Sequence, residues 1–189
     1  GVYSGQTLNV LDVGTGSANI AIALAKLFPD CHITAIDNSQ TALEVAKKNA
    51  QFQHVSQRIK FVYRDMSDFF DPIPPTEERF DLIISNPPYI KQSDLTFLPK
   101  DVQCEPGNAL NGGKEGLEQI NILLSLSWKI LKPSGHLVFE IVDGQSAAVY
   151  SAFKYLNTCK HIEFKKDYRG VNRYAICRLQ NTDALISDK

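Results

Sequence analysis

Apolar residues fall along this chain in two alternating rhythms. Short, nearly continuous runs rich in Val, Ile and Leu occupy residues 7–13 (TLNVLDV), 32–37 (HITAID), 58–63 (RIKFVY), 80–85 (FDLIIS) and 135–142 (GHLVFEIV). Such runs read as strands buried on both faces. Between them apolar positions recur at helical spacing, over residues 17–28 (SANIAIALAKLF) and 39–50 (SQTALEVAKKNA), the second with Ser39 placed as its N-cap. The spacing also predicts a long helix over 115–131, with Leu117, Ile120, Leu123, Leu124 and Trp128 on one side, and another near 146–156. Two last runs, 160–166 and 172–179, have no helix between them. They are expected to pair as a hairpin and to place one antiparallel strand at the end of the sheet. The pattern predicts an α/β fold: a mostly parallel, seven-stranded sheet with helices on both faces. Residues 71–78 (DPIPPTEE) read as a surface loop and 93–116 as a long irregular one, a length that compact domains usually keep for function.

Composition narrows the class. A chain of 189 residues, 43% hydrophobic and 22% charged, suits one globular domain. No apolar run approaches the roughly 20 residues that cross a bilayer, and no charged-then-apolar leader opens the chain. A soluble, intracellular protein without a membrane partner is expected. The net charge of -1 gives no basic surplus of the kind that holds nucleic acid by its phosphates, so direct nucleic-acid binding is not expected. Cys31, Cys104, Cys159 and Cys177 are widely spaced and the four histidines are scattered. That pattern fits free thiols in a reducing compartment, a bacterial cytoplasm or a mitochondrial matrix, and no metal site.

The chemistry gathers where strands end. In LDVGTGSAN, Gly14 and Gly16 lie in the turn from the first strand to the first helix, with Asp12 just before them. Open parallel sheets bind ligands beyond the carboxyl ends of their strands. The run is G-T-G-S-A-N, so the dinucleotide fingerprint G-x-G-x-x-G fails. An acid at Asp12 suits a cation and repels a pyrophosphate. Asp37, ending the second strand beside Asn38, can accept from ribose hydroxyls. Asp65 follows the third strand and can accept from an adenine amine, with Met66 against the ring. A cation, a ribose and an adenine without phosphate describe S-adenosylmethionine. The competing reading is that these acids are helix caps and turn formers.

The fourth strand stops at SNPPYI. Proline has no amide hydrogen for a strand ladder, so the strand must end there in a stiff turn. Asn86 offers a side-chain oxygen, Pro87 a rigidly held carbonyl, and Tyr89 a flat face. Two acceptors and an aromatic wall fit a planar NH2 group, whose delocalised lone pair makes it a poor nucleophile. They would orient it and favour a more tetrahedral nitrogen, with no metal or covalent nucleophile required.

The order DVGTGSA, AIDNS, YRDM, NPPYI resembles that of Rossmann-like methyltransferases acting on amino groups. The block CEPGNALNGGKEGL and the closing KDYRGVNRYAICR resemble, more specifically, the protein glutamine-N5 methyltransferases of peptide-chain release factors (the HemK/PrmC family). The resemblance runs from about Thr7 to Leu179 and implies a class I methyltransferase fold. It implies S-adenosylmethionine held by Gly14, Gly16, Asp37 and Asp65, with Asn86 near its methionine end. It implies a release-factor glutamine, in a Gly-Gly-Gln tripeptide, held by Asn86, Pro87 and Tyr89 at the Pro87-Pro88 turn. Glu105 and Pro106 would order the loop over the site, or Glu105 would form an ion pair with Arg173. Ala18 stands where the family often has a third glycine. The family carries a helical domain ahead of the first strand. This chain opens at GVYSGQTLNV and is expected to be the catalytic domain, working as a monomer. Alternatives are an adenine or guanine N-methyltransferase, a methyltransferase of a ribosomal-protein glutamine, and a binding module that has lost catalysis.

Overall fold

The computed structural model describes residues 7–69, 73–100, 107–156 and 159–179. Strands β1 (Leu8–Val13), β2 (Cys31–Asp37), β3 (Ile59–Tyr63), β4 (Phe80–Ser85), β5 (Leu131–Glu140), β6 (Cys159–Lys166) and β7 (Asn172–Leu179) form one sheet in the order β3-β2-β1-β4-β5-β7-β6. The first five pair in parallel. Strand β7 is antiparallel to both β5 and β6. The antiparallel strand is therefore one place in from the edge, not at the end of the sheet. Helix α6 (Ser146–Leu156) is a crossover like those before it, so β6 starts in the common direction. Only the turn at 167–171 reverses the chain, and β7 fills the gap between β5 and β6.

Helices α1 (Asn19–Leu27) and α2 (Gln40–Phe52) cover one face. Their contacts are mostly alanines, with Ala21, Ala25, Ala46 and Ala50 buried against Val10 and Ile33. Small side chains let these helices lie close to the strands. After α3 (Met66–Phe69) and α4 (Gly107–Leu110), helix α5 (Glu118–Leu126) joins α6 on the other face. There Ile120, Leu123, Leu124 and Val149 pack on Leu11, Val13, Ile83 and Phe139. Val10 faces one layer while Leu11 and Val13 face the other, though Leu11 directly follows Val10: β1 is pleated and buried on both sides. Ser39 caps α2 as expected, accepting from the Ala42 amide at 3.2 Å.

The boundaries depart most from the sequence pattern around α5 and β5. The helix expected over 115–131 starts at Glu118, because Gly116 takes φ +73° in a turn that precedes it. It ends at Leu126 and tightens into a 3-10 turn over Ser127–Lys129. A 3-10 turn advances about 120° per residue against about 100° in an α-helix, and Trp128 swings out to 36% exposure. Strand β5 begins at Leu131, ahead of the expected 135, through an irregularity in which Phe80 pairs with Leu131 but Leu82 with His136. Pro133 and the positive φ of Ser134 lie in that irregularity, which hides the strand's start. The long loop is partly ordered, with a 3-10 turn at Gln92–Phe97, α4, and a bridge from Ile90 to Asn111. Cys31 and Cys177 are buried and are not disulfide-bonded. Among the described residues no helix is long and apolar enough to cross a membrane, and no cluster of His, Cys, Asp or Glu could hold a metal.

Candidate active site

Strand order reverses between β1 and β4, whose carboxyl ends lie side by side with Val13 opposite Ser85. The buried Ser85 hydroxyl donates to the Val13 carbonyl at 2.9 Å and ties the two ends together. The chain leaves β1 into the Gly14–Gly16 turn and leaves β4 into Asn86-Pro87-Pro88-Tyr89. The two sequence signals thus meet at the sheet's switch point, the usual ligand crevice of such folds.

The turn after β1 takes a backbone conformation that favours glycine and has open space beside it. Gly14 and Gly16 have φ of +68° and +55°, and a Cβ at either would meet nothing within 4 Å. The amides of Gly14 and Thr15 donate to the Ile36 carbonyl at 2.9 and 3.0 Å. Ala18 also has positive φ, +67°, and is wholly buried, so it stands in the conformation a glycine would take.

Asp12 lies beneath this turn, not in the crevice, and is only 1% exposed. An acid at Asp12 is expected to suit a cationic ligand, and from this position its charge would act on one through a poorly screened interior. Its Oδ2 accepts from the Thr15 hydroxyl at 2.6 Å, and its Oδ1 is buried without a hydrogen bond from any described residue. Burial pushes its pKa up to about 6, against the pull of the Thr15 hydroxyl and of the Ala21 amide.

Asp37 does two things at once. Its Oδ2 accepts from the Gly16 amide and its Oδ1 from the Ser39 amide, both at 2.8 Å. It braces the glycine turn and the start of α2 while each oxygen keeps a further lone pair. Asn38 donates to Asp65 Oδ2 at 3.1 Å and so joins the ends of β2 and β3. Asp65 Oδ1 accepts from the Ser67 amide at 2.9 Å, which with the Asn38 bond holds its carboxyl below the usual range. Asp65 is thus a cap of α3 as well as an exposed acceptor at the crevice. Met66 packs against the core.

In the fourth turn Pro87 is buried, while Asn86 is exposed with no hydrogen bond to a described residue. Pro88 and Tyr89 are half-buried. The glycine-rich segment runs along this turn. The Ile90 amide donates to the Leu110 carbonyl at 3.0 Å, and the Gly112 amide to the Ile90 carbonyl at 2.8 Å. A Cβ on Gly112 would lie 2.7 Å from Tyr89 Cα, and one on Gly116 would strike the Tyr89 carbonyl. Only glycine permits so close an approach. Glu105 and Pro106 lie outside the described residues.

Residues 4–176 match a family model described as a methyltransferase domain. The chain belongs to that family. This methyltransferase domain is 38% identical over 169 residues to a release factor glutamine methyltransferase of Thermosynechococcus vestitus, covering 89% of the chain and 57% of the relative. It is 39% identical over 165 residues to the protein of that name from Rhodopirellula baltica, covering 87% of the chain and 54% of the relative. The chain thus spans about half the length of these curated relatives. A solved methyltransferase from Pyrococcus furiosus shares the fold, with a TM-score of 0.66 at 20% identity over 92% of the chain and 75% of that structure. The domain is of the class I type, for which S-adenosylmethionine is the methyl donor.

The residues present fit that cofactor. Open space stands over Gly14 and Gly16, Asp37 keeps acceptor capacity, and the buried Asp12 oxygen supplies negative potential that a cation would offset. The closing D-x-x-G-x-x-R motif of the methyltransferase domain is a hairpin staple. Asp167 Oδ1 accepts from the Arg169 and Val171 amides at 2.9 and 3.1 Å, and Oδ2 from Arg173 at 3.2 Å. Arg173 therefore has an ion-pair partner in Asp167, within the motif itself. Sequence reasoning passed over Thr15, Ser85, Glu140 and Gln145. Burial pushes the Glu140 carboxyl above the usual range, partly countered by Arg173 and by its interaction with the Tyr89 side chain. None of the four lies in a motif that names its partner.

Proposed function

We propose that this chain transfers a methyl group from S-adenosylmethionine to the side-chain amide nitrogen of a glutamine in a peptide-chain release factor, within its Gly-Gly-Gln tripeptide. The observation that carries this reading is the exposed, unengaged Asn86 amide next to the buried Pro87, at the point where β1 and β4 part. The names of the curated relatives support it. So do the glycines packed on Tyr89, which lie in the block that resembles the release-factor enzymes. The lack of a basic surplus favours a protein substrate over nucleic acid. The relatives are bacterial, which favours a bacterial cytoplasm.

Gly14, Gly16, Asp37, Asn38 and Asp65 would hold the cofactor, with Met66 lining its adenine end and Asp12 favouring its cationic part. When bound it supplies a methyl group on a positively charged sulfur, electrophilic enough for a weak nucleophile. Asn86 Oδ1 and the Pro87 carbonyl accept the two N–H bonds of the glutamine amide and fix its plane. As positive charge develops on the nitrogen, both acceptors bind its hydrogens more strongly, so they act mainly in the transition state; the sulfur would leave as a neutral thioether and the nitrogen would release one proton to solvent. Tyr89 gives the amide a flat wall. Glu105 is proposed to help hold the substrate from the loop.

The test is incubation with labelled S-adenosylmethionine and three separate acceptors: a release factor, a ribosomal-protein fraction and nucleic acid. Label on the release factor supports the reading. Label confined to either of the others overturns it.

A further inference from the structure

Tyr89 meets one short stretch of chain through both its side chain and its backbone. Its side chain interacts with Glu140, the last residue of β5. Five residues on, Gln145 precedes α6, and its backbone carbonyl accepts from the Val149 amide at 2.9 Å. Its side chain meets three segments. Oε1 accepts from the Val142 amide at 3.0 Å, while Nε2 donates to the Gly116 carbonyl at 2.9 Å and to the Tyr89 carbonyl at 3.4 Å. Both partners of Nε2 are acceptors and the partner of Oε1 is a donor, so chemistry leaves one orientation for the amide.

We propose that Gln145 is a positioning residue for methyl transfer. The inference rests on the reading of Asn86 and Pro87 as the acceptors of the substrate amide. Gln145 ties the Tyr89 backbone to the glycine turn and to the base of α6, and two bonds of its own chain hold it in place. Pro88, between Pro87 and Tyr89, has a locked φ. With fewer soft dihedrals between them, a shift of the Tyr89 backbone is passed on toward the Pro87 carbonyl. The acceptors of a reacting amide tolerate little displacement: about 1 Å can cost a hundredfold in rate.

The experiment compares Gln145→Leu and Gln145→Glu with the parent chain. The first removes both donor contacts. The second keeps the Val142 bond but sets a carboxylate oxygen against two carbonyls. Hydrogen exchange is read at the Ile90 and Gly112 amides, which close the turn. Release-factor methylation gives kcat and KM, and calorimetry gives the cofactor Kd. Both variants should exchange faster at these amides and lose about tenfold or more in kcat per cofactor-binding site, with cofactor Kd within about twofold. A structural role alone would lower the number of competent sites and leave kcat per site unchanged, and that outcome overturns the proposal. So does parent-like exchange in both variants. If the parent chain labels no protein glutamine, the proposed function fails separately, and exchange at Ile90 and Gly112 alone decides whether Gln145 holds the turn.

Discussion

Asp12, beneath the glycine turn, sets a conflict between stability and function. Moving a carboxyl from 3.8 to about 6 penalises the ionised folded state by about 3 kcal/mol. The sign follows from proton counting. Between about pH 4 and 6 the folded chain holds a proton that the unfolded chain has released, so stability falls as pH rises through that window and is then flat with respect to this group. Asp12→Asn should raise the melting temperature of the ligand-free protein at pH 7.5, with the gain vanishing near pH 4, as calorimetry would read. The same variant should gain less stability from S-adenosylmethionine than the parent does. An equal gain would remove Asp12 from the cofactor's surroundings. Asn86 is the opposite case: exposed and without a hydrogen bond to any described residue, it should be dispensable for folding. Asn86→Ala and Asn86→Asp should lower kcat by about a hundredfold or more while leaving cofactor Kd nearly unchanged, in steady-state kinetics set beside calorimetry. Asp37→Ala should weaken cofactor binding by about 2–3 kcal/mol. Because Asp37 also braces Gly16 and Ser39, it should lower the melting temperature as well.

Among the elements, the glycine turn before α5 shapes the site most directly. Gly116→Ala places a Cβ against the Tyr89 carbonyl at φ +73°, so the turn, the NPPY strand end or both must move. Gly144→Ala, at φ +82° with nothing within 4 Å, meets only backbone strain of about 1–2 kcal/mol. Melting curves and kcat should separate them: the first loses most activity, while the second loses stability alone. This contrast also shows what a sequence discloses. The bodies of β1 to β4 and of α1 and α2 were legible because buried parallel strands and amphipathic helices have distinct periods. The ends of α5 and β5 were not. They depend on a positive φ at Gly116 and Ser134 and on a change to 3-10 winding at Trp128, none of which alters apolar spacing. The acids at strand ends were legible as acceptors because topology collects them. The support around them was hidden: Gln145 meets Tyr89 across 56 residues of sequence, and no local pattern marks such a pairing.

Across the whole molecule, function follows from where the sheet divides. Strands β2 and β3 lie on one side of β1, and β4 and β5 on the other. The cofactor candidates Asp37 and Asp65 end strands on one side, and the acceptors of the amide follow β4 on the other, so donor and acceptor would approach from opposite halves. On the proposed reading the target side chain must carry its amide from the substrate backbone as far as the Asn86-Pro87 turn. Replacing the target glutamine by asparagine shortens it by about 1.5 Å and should abolish transfer. Peptide mapping by mass spectrometry, on a release factor incubated with this chain and S-adenosylmethionine, tests the central claim most directly. The prediction is a gain of one methyl on the glutamine of the Gly-Gly-Gln tripeptide and none when that glutamine is asparagine. A methyl group on any other residue, on nucleic acid alone, or on no protein at saturating cofactor would contradict it.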